Sequence, residues 1–315
     1  MNLLITGGAG FIGSNLIYYI VEKYPDYKII NLDNLTYAGN LKNLKNLENN
    51  SNYKFIKGDI NDYDLVDKII KENNIDTIIH LAAESHVDKS ITGPDQFITT
   101  NIVGTHNLLK LALANNKIRF HHVSTDEVFG SLGEGDPKFT EESAYDPRSP
   151  YSASKASSDH LVRSYYHTFD LPITISNCSN NYGPYQHKEK MIPLFIDKLL
   201  KSEQVPIYGD GRNIRDWLYV TDHCRAIDLI VHQGKIGETY LVGGDSEMRN
   251  INIAKLLADK LGHSANMIKL VKDRPGHDWR YAIDASKIKK ELGWEPQINF
   301  EQGITKTIKW YKSNL

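Results

Sequence analysis

Short apolar runs alternate with amphipathic stretches from the N-terminus to about Cys178. The runs Asn2–Thr6, Lys28–Leu32, Lys54–Lys57, Thr77–Leu81, Phe120–Ser124 and Ile173–Asn177 each suit one buried strand, and each is followed by turn or helix signals. This interleaving predicts an α/β fold, a doubly wound parallel sheet with helices on both faces. Between Leu35 and Asn52, Leu41, Leu44 and Leu47 recur in an Asn-rich background, which predicts a short surface helix over the sheet edge. Beyond Tyr182-Gly183-Pro184 the alternation breaks down. Strand-like Val205–Tyr208, Leu218–Val220 and Thr239–Val242 mix with helical patterns over Pro193–Lys201, Asp222–His232, Asn252–Leu261 and Gln302–Tyr311. These elements predict a smaller α/β cap folded over the C-terminal ends of the strands, where open α/β sheets bind ligands.

The first apolar run stops at a glycine cluster. Gly7, Gly10 and Gly13 are spaced G-x-x-G-x-x-G, and a helical pattern begins at Ser14 with no linker. A strand, a tight turn and a helix N-terminus follow one another, so backbone N–H groups and the positive end of the helix dipole favour a bound anion. The second run ends in Asp33, about twenty residues on, where a carboxylate accepts both ribose hydroxyls of an adenosine and repels a 2′-phosphate. The reading is a Rossmann-type NAD site, with residues 1–180 as the NAD-binding domain and 181–315 mainly as the substrate cap.

The 315 residues carry 37 Lys+Arg against 39 Asp+Glu, a net charge of -2. That balance gives no electrostatic case for nucleic acid or an anionic membrane. Cys178 and Cys224 are too few for a disulfide framework, no apolar run reaches membrane-span length, and the N-terminus enters the first strand without a basic leader. A soluble cytoplasmic protein is expected. The histidines show no metal-ligand spacing, so no metal is expected.

The run Phe120–Ser124 leads into Thr125-Asp126-Glu127, and Tyr151-Ser152-Ala153-Ser154-Lys155 opens a later helix. Tyr and Lys four apart share a helical face, so the ammonium is expected to sit beside the phenol and favour phenolate. Bringing a tyrosine from ~10 to near neutrality takes about 4 kcal/mol. Such a phenolate takes the proton of a substrate hydroxyl while a hydride leaves the same carbon for nicotinamide. Asp126 and Glu127 add two carboxyl groups that simple alcohol oxidation does not need. Both can face one substrate only if a helix or turn begins there, because neighbours on a strand point to opposite faces.

Gly7/Gly10/Gly13 with Tyr151-x-x-x-Lys155 resembles the extended short-chain dehydrogenase/reductase family along essentially the whole chain. The segments Asp33–Asn40, His80–Asp88, Asn177–Pro184, Asn213–Trp217 and Asp273–His277 are similar to its dTDP-glucose 4,6-dehydratase branch. Asn34 stands where that branch has Lys, Phe129 where it has Tyr, and Met191 where it has Leu. The resemblance implies oxidation at C4 of the hexose, loss of water across C5–C6 and return of the hydride to C6. It makes Tyr151 with Lys155 the base at C4, Glu127 the base at C5, Asp126 the acid at the C6 hydroxyl and Thr125 the hydroxyl partner.

For NAD it implies Gly7, Gly10, Phe11, Ile12, Gly13, Asp33, Asn34, Leu35 and Thr36 near the loop. Asp59, Ile60, Leu81, Ala82, Ala83, Ser85, Thr100, Tyr151 and Lys155 complete that set. For dTDP-glucose it implies Ser85, His86, Thr125, Asn177, Lys190 and Met191 as substrate-binding residues. Pro206, Ile207 and Tyr208 would lie at the base, and Arg215, Asn250, Arg274, His277 and Tyr281 at the diphosphate end. It also implies a homodimer built on paired helices of the cofactor domain and a place in deoxysugar synthesis, such as that of rhamnose. A nucleotide-sugar 4-epimerase shares the glycines, Asp33 and the Tyr/Lys pair but has no use for Asp126-Glu127. A non-catalytic NAD-binding protein on this scaffold lacks Tyr or Lys, and both are present.

Overall fold

The computed structural model describes residues 1–314. In chain order its strands are β1 (Asn2–Thr6), β2 (Lys28–Asp33), β3 (Tyr53–Lys57), β4 (Thr77–His80), β5 (Arg119–Thr125), β6 (Ile173–Cys178), β7 (Asn180–Tyr182), β8 (Val205–Tyr208), β9 (Ile214–Tyr219), β10 (Thr239–Val242), β11 (Glu247–Arg249) and β12 (Ile268–Val271). Seven of them form one parallel sheet in the order β10-β6-β5-β4-β1-β2-β3. The order reverses at β1, whose neighbours are β4 and β2, with Thr6 opposite His80 on one side and Leu32 on the other. Loops leaving β1 and β4 therefore part in opposite directions, opening a crevice at their C-terminal ends.

Burial on both faces explains why the strands read as apolar runs. On one face Leu4, Ile78, Phe120 and Ile173 pack against helices Tyr63–Glu72, Thr105–Ala114 and Pro150–Phe169. On the other, Leu3, Ile5 and Ile79 pack against Leu16, Ile17 and Ile20 of helix Phe11–Lys23, joined by Cys224, Ile227 and Val231 of helix Val220–Gln233. Thus Val220–Gln233 and β10, which the sequence pattern puts in the cap, complete the large sheet and its cover.

The cap proper has its own core of Phe195, Ile196, Leu199, Ile207, Trp217, Leu257 and Ile304. Its small sheets are β11-β9-β7 and β12-β8. The expected strand Leu218–Val220 instead runs Ile214–Tyr219, with Val220 starting the helix. Leu41–Leu47 is not an α-helix but two 3-10 turns kinked at Leu44, with Leu44 and Leu47 buried.

Candidate active site

The glycine loop folds as its spacing predicts. Gly7 has φ +73°, and a Cβ there would stand 2.7 Å from the Ala82 backbone. No side chain caps helix Phe11–Lys23 at Gly10, so its first-turn N–H groups are left for an external anion. At the end of β2 the Asp33 carboxylate accepts from Ala9 N at 2.9 Å and Leu35 N at 2.8 Å, which stiffens the loop around it. From Asp33 and Asp59 a cavity of about 320 Å³ runs past Gly7, Gly10 and Ala82 to Tyr151 and Lys155. An elongated groove with a glycine cradle at its middle and a carboxylate at one end fits a dinucleotide. Phe11, Ile12, Gly13, Asn34, Thr36, Ile60, Leu81, Ala83, Ser85 and Thr100 line the same groove. Leu35, expected at the cofactor, does not line the groove; its backbone N–H is used on Asp33.

The reacting end is built where β5 stops. Thr125 is the last residue of the strand and its hydroxyl accepts from Glu127 N at 3.3 Å, capping a 3-10 turn over Asp126–Phe129. The turn takes Asp126 and Glu127 out of a strand's two-residue period; Glu127 lines the cavity, while Asp126 lies buried next to it and is not part of the lining. Asp126 is 1 % exposed, with Oδ1 accepting from the Thr125 hydroxyl at 3.3 Å and Oδ2 without a partner. Burial, with the charges of Glu127 and Asp216 nearby, pushes its pKa well above the carboxylate range. The protonated form is favoured there relative to an ordinary carboxyl. Glu127 lines the cavity; burial raises its pKa too, but Arg274, Lys190 and Arg215 oppose the shift. One of two adjacent carboxyls is thus fitted to give a proton and the other to take one.

Tyr151 and Lys155 enter the same cavity from helix Pro150–Phe169, which begins with a capping box at Ser149 and Ser152. One expectation fails here. Lys155 Nζ donates to Val123 O at 2.9 Å and lies 3.3 Å from His122 Nε2, rather than bonding to the Tyr151 oxygen. Burial, reinforced by the Glu127 charge, pushes the Tyr151 phenol well above its ordinary value. Burial thus favours the phenol, and the phenolate has to be stabilised for it to act as a base.

The cap brings its cations to the same place. Arg215 is 6 % exposed and fixed by Ile214 O at 2.7 Å and Asp278 O at 2.9 Å, its guanidinium 4.2 Å from the Tyr281 ring. Lys190 Nζ donates to Ser85 O at 2.9 Å, tying cap to cofactor half. Arg274 pairs with Asp88, while His277 bonds Asp273 and stands edge-on to Tyr208. Asn177 spends its amide nitrogen on Thr125 O and Asp159, and the Asn250 side-chain oxygen is buried without a partner. His86 Nε2 lies 3.4 Å from Glu189, and Met191 opens the helix Met191–Leu200. Pro206 is half-buried and Tyr208 is 44 % exposed, but the Ile207 side chain packs into the cap core, so a ligand meets only its backbone.

The family model described as GDP-mannose 4,6 dehydratase matches residues 4–307. A dTDP-glucose 4,6-dehydratase of Xanthomonas campestris pv. campestris is 52% identical, covering 99% of this chain and 93% of that protein. The chain belongs to the dTDP-glucose 4,6-dehydratase family. Solved members agree in fold: the Bacillus anthracis enzyme in complex with NAD superposes with TM-score 0.93 at 48% identity, covering 100% of this chain and 97% of that one. The Streptomyces venezuelae enzyme, with NAD and dTDP bound, gives 0.96 at 46%, covering 100% and 98%.

Within this dehydratase, Asn34 donates to Asp59 at 3.0 Å, and Phe129 stacks on Phe139. The residue that sequence reasoning missed is Asn101. It sits fully buried in a π-type stretch, Ile98–Gly104, and its amide bonds both Glu84 N and Glu84 O while donating to Ser154 Oγ at 2.8 Å. It locks the loop after β4 to the helix that carries Tyr151. A lone Asn in a helical pattern gives no signal of this. Tyr37, within the Asp33–Asn40 segment, also belongs to the site: its hydroxyl meets Ser85 Oγ at 3.2 Å in the cavity wall.

Proposed function

We infer that this chain is an NAD-dependent hydro-lyase that converts dTDP-glucose to dTDP-4-keto-6-deoxyglucose. The observation that carries this reading is the turn after Thr125, where a buried Asp126, its pKa raised by burial, adjoins Glu127 beside the Tyr151/Lys155 cavity. Bound NAD supplies a hydride acceptor for C4 and, once reduced, a hydride donor for C6. Every other part falls to side chains. Tyr151, as the phenolate, takes the C4 hydroxyl proton and becomes the phenol, and the Lys155 ammonium lowers the cost of holding that phenolate ready. The new ketone acidifies C5–H, so Glu127 removes that proton. Asp126 gives its proton to the C6 hydroxyl, which leaves as water. Glu127 returns its proton to C5, and the proton that Tyr151 took from the C4 hydroxyl replaces, by way of solvent, the one that Asp126 gave to water, so that all three groups are restored.

The site assignments belong to this proposal. Gly7 through Gly13, with Asp33, hold the dinucleotide; Arg215, Arg274 and Lys190 hold the diphosphate, supported by their joint action on Glu127. Residues 1–180 carry the cofactor and most of 181–315 the nucleotide sugar, with Val220–Val242 serving the cofactor half. Because the hydride is returned, the cofactor is retained between turnovers. A homodimer also belongs here, supported by Ile98 and Val103, which are 51% and 49% exposed on the segment leading into helix Thr105–Ala114. Among the described residues no helix is long and apolar enough to cross a membrane. With two free buried cysteines, we take the enzyme to act in the cytoplasm, supplying deoxysugar synthesis such as that of rhamnose.

Purified protein incubated with dTDP-glucose, and separately UDP-glucose, without added NAD tests the reading. A product lighter by one water from the dTDP sugar is expected. A product of unchanged mass means epimerisation, and accumulation of reduced cofactor in step with product overturns the dehydratase.

A further inference from the structure

Beneath the Tyr151/Lys155 pair lies a carboxylate that the reaction above leaves unused. Tyr151, Lys155 and Asp159 follow at intervals of four on helix Pro150–Phe169 and share one face. Asp159 is fully buried. Its Oδ2 accepts from the Tyr145 hydroxyl at 2.8 Å and from Asn177 Nδ2 at 3.0 Å; its Oδ1 stands 3.3 Å from His122 Nε2. Lys155 Nζ lies 3.3 Å from that same nitrogen. One imidazole nitrogen cannot donate to Asp159 and accept from Lys155 at once, so ammonium, imidazole and carboxylate line up as a chain with no hydrogen bond relayed through Nε2 from one charge to the other.

The groups facing this chain are His80 from β4, His122 from β5, Cys178 from β6, Tyr145 from the preceding loop, and Tyr151 and Arg163 from the helix itself. Burial holds His80 well below its ordinary value and His122 at about 4, so both are neutral rings. Burial pushes the Cys178 thiol and the Tyr145 phenol up, so they too are neutral. Asp159 is held at about 2, because its bond to His122 and the charge of Lys155 outweigh burial. Burial pulls Lys155 down to about 8, with Asp159 opposing. Asp159 is therefore the anion of the chain. Arg163, at its outer end, donates to the Tyr145 hydroxyl at 2.8 Å.

We propose that Asp159 is a positioning residue of this site: a buried counter-ion whose negative charge, acting across the neutral His122 ring, keeps Lys155 in place as the ammonium. Through Asn177 it also fixes which end of that amide meets Thr125, leaving Asn177 Oδ1 without a protein partner. A buried ammonium with no anion nearby is costly and loses its proton instead. This role rests on the dehydratase reading, in which the charge of Lys155 serves the Tyr151 phenolate.

The test compares wild type, Asp159→Asn, Asp159→Glu and Tyr145→Phe, each purified with its retained NAD quantified. Both kcat and kcat/KM for dTDP-glucose are followed from about pH 5.5 to about pH 10. Without the carboxylate Lys155 gives up its proton at lower pH. Asp159→Asn is expected to keep its NAD and its thermal midpoint within a few degrees, to lose roughly ten-fold or more in kcat, and to move the alkaline limb of kcat/KM down by about one pH unit. Asp159→Glu restores the limb. Tyr145→Phe strips a donor from the carboxylate but leaves its charge, so the limb moves up by roughly a few tenths of a unit; this variant carries the test if Asp159→Asn does not fold. Wild type inactive on dTDP-glucose overturns the dehydratase reading and this role together. Active wild type with an unmoved limb in the variants overturns the counter-ion role alone, leaving Asp159 a packing residue.

Discussion

Arg274 reaches from the cap to Asp88 on the cofactor half, Nη1 to Oδ1 at 3.1 Å, and the Tyr208 hydroxyl approaches the other oxygen of that carboxylate at 3.5 Å. The guanidinium proposed for the substrate diphosphate is thus held by a protein carboxylate, with its Nε unpartnered. With side chains 22% and 40% exposed, the pair is worth roughly 0–1 kcal/mol. Asp88→Asn frees Arg274 without removing it, so KM for dTDP-glucose is expected to fall about two- to five-fold with kcat unchanged. Arg274→Lys, which loses the bidentate fork, is expected to raise KM roughly ten-fold. Steady-state kinetics decides, and a raised KM in Asp88→Asn would mean that Asp88 binds substrate rather than competing for Arg274.

Asp126→Asn separates oxidation from dehydration. The amide keeps the shape of the buried side chain but has no acidic proton to give the leaving hydroxyl. NAD stays bound and C4 is still oxidised, while formation of the 4-keto-6-deoxy product drops by about 10²–10⁴-fold. Rapid mixing followed at the absorbance of reduced nicotinamide checks this, since reduced cofactor accumulates on the enzyme. Near wild-type product formation removes Asp126 from the mechanism.

How much of this was legible in the sequence depends on whether local pattern or long-range contact decides each feature. The six strands from Asn2 to Cys178 were readable because strands buried on both faces must be apolar throughout, and Gly7 to Gly13 because only glycine suits so close a turn. The facing of Asp126 and Glu127 was not, because it turns on whether β5 ends at Thr125, a one-residue matter set by the Thr125 cap. Nor was the place of Thr239–Val242, since sheet order is fixed by pairing with Ile175–Cys178, more than sixty residues away. The Tyr151–Lys155 spacing gave the shared helix face correctly. It did not give the partners of Lys155, which come from β5 and draw the ammonium to Val123 and His122.

Gly13 offers a steric test of the loop. A Cβ there would stand 2.3 Å from Gly7 O and 2.6 Å from Gly8 Cα, both backbone atoms that cannot swing aside. Gly13→Ala is therefore expected to cost roughly 1–3 kcal/mol and to yield protein purified with little NAD. Gly135→Ala, whose Cβ meets nothing within 4 Å, is the control and should match wild type. Cofactor released by acid and thermal midpoints read both effects; full NAD content in Gly13→Ala would mean that the loop moves more freely than its contacts allow.

Away from the chemistry, Asp228 joins helix Val220–Gln233 to helix Phe11–Lys23. Its carboxylate takes Lys23 Nζ at 2.6 Å, the Tyr19 hydroxyl at 3.1 Å and His232 Nδ1 at 3.0 Å. Burial would raise its pKa, but the bonds from His232 and Lys23 hold it at about 2, and the Asp228 bond in turn raises His232. The two groups give opposite dependences. The Asp228 share of stability, on the order of 2 kcal/mol, is present above the ordinary carboxylate value of about 4 and is lost as pH falls toward about 2. The His232 share is complete below about 6.5 and is lost as pH rises through its raised folded value. Asp228→Asn is therefore expected to lower the thermal midpoint most between about pH 4 and pH 6.5 and by less at about pH 9. Thermal scans of both proteins at about pH 5.5 and about pH 9 check the sign. A gap of equal size at the two values means that His232 contributes no charge to the joint, and that Lys23 and the tyrosines carry it alone.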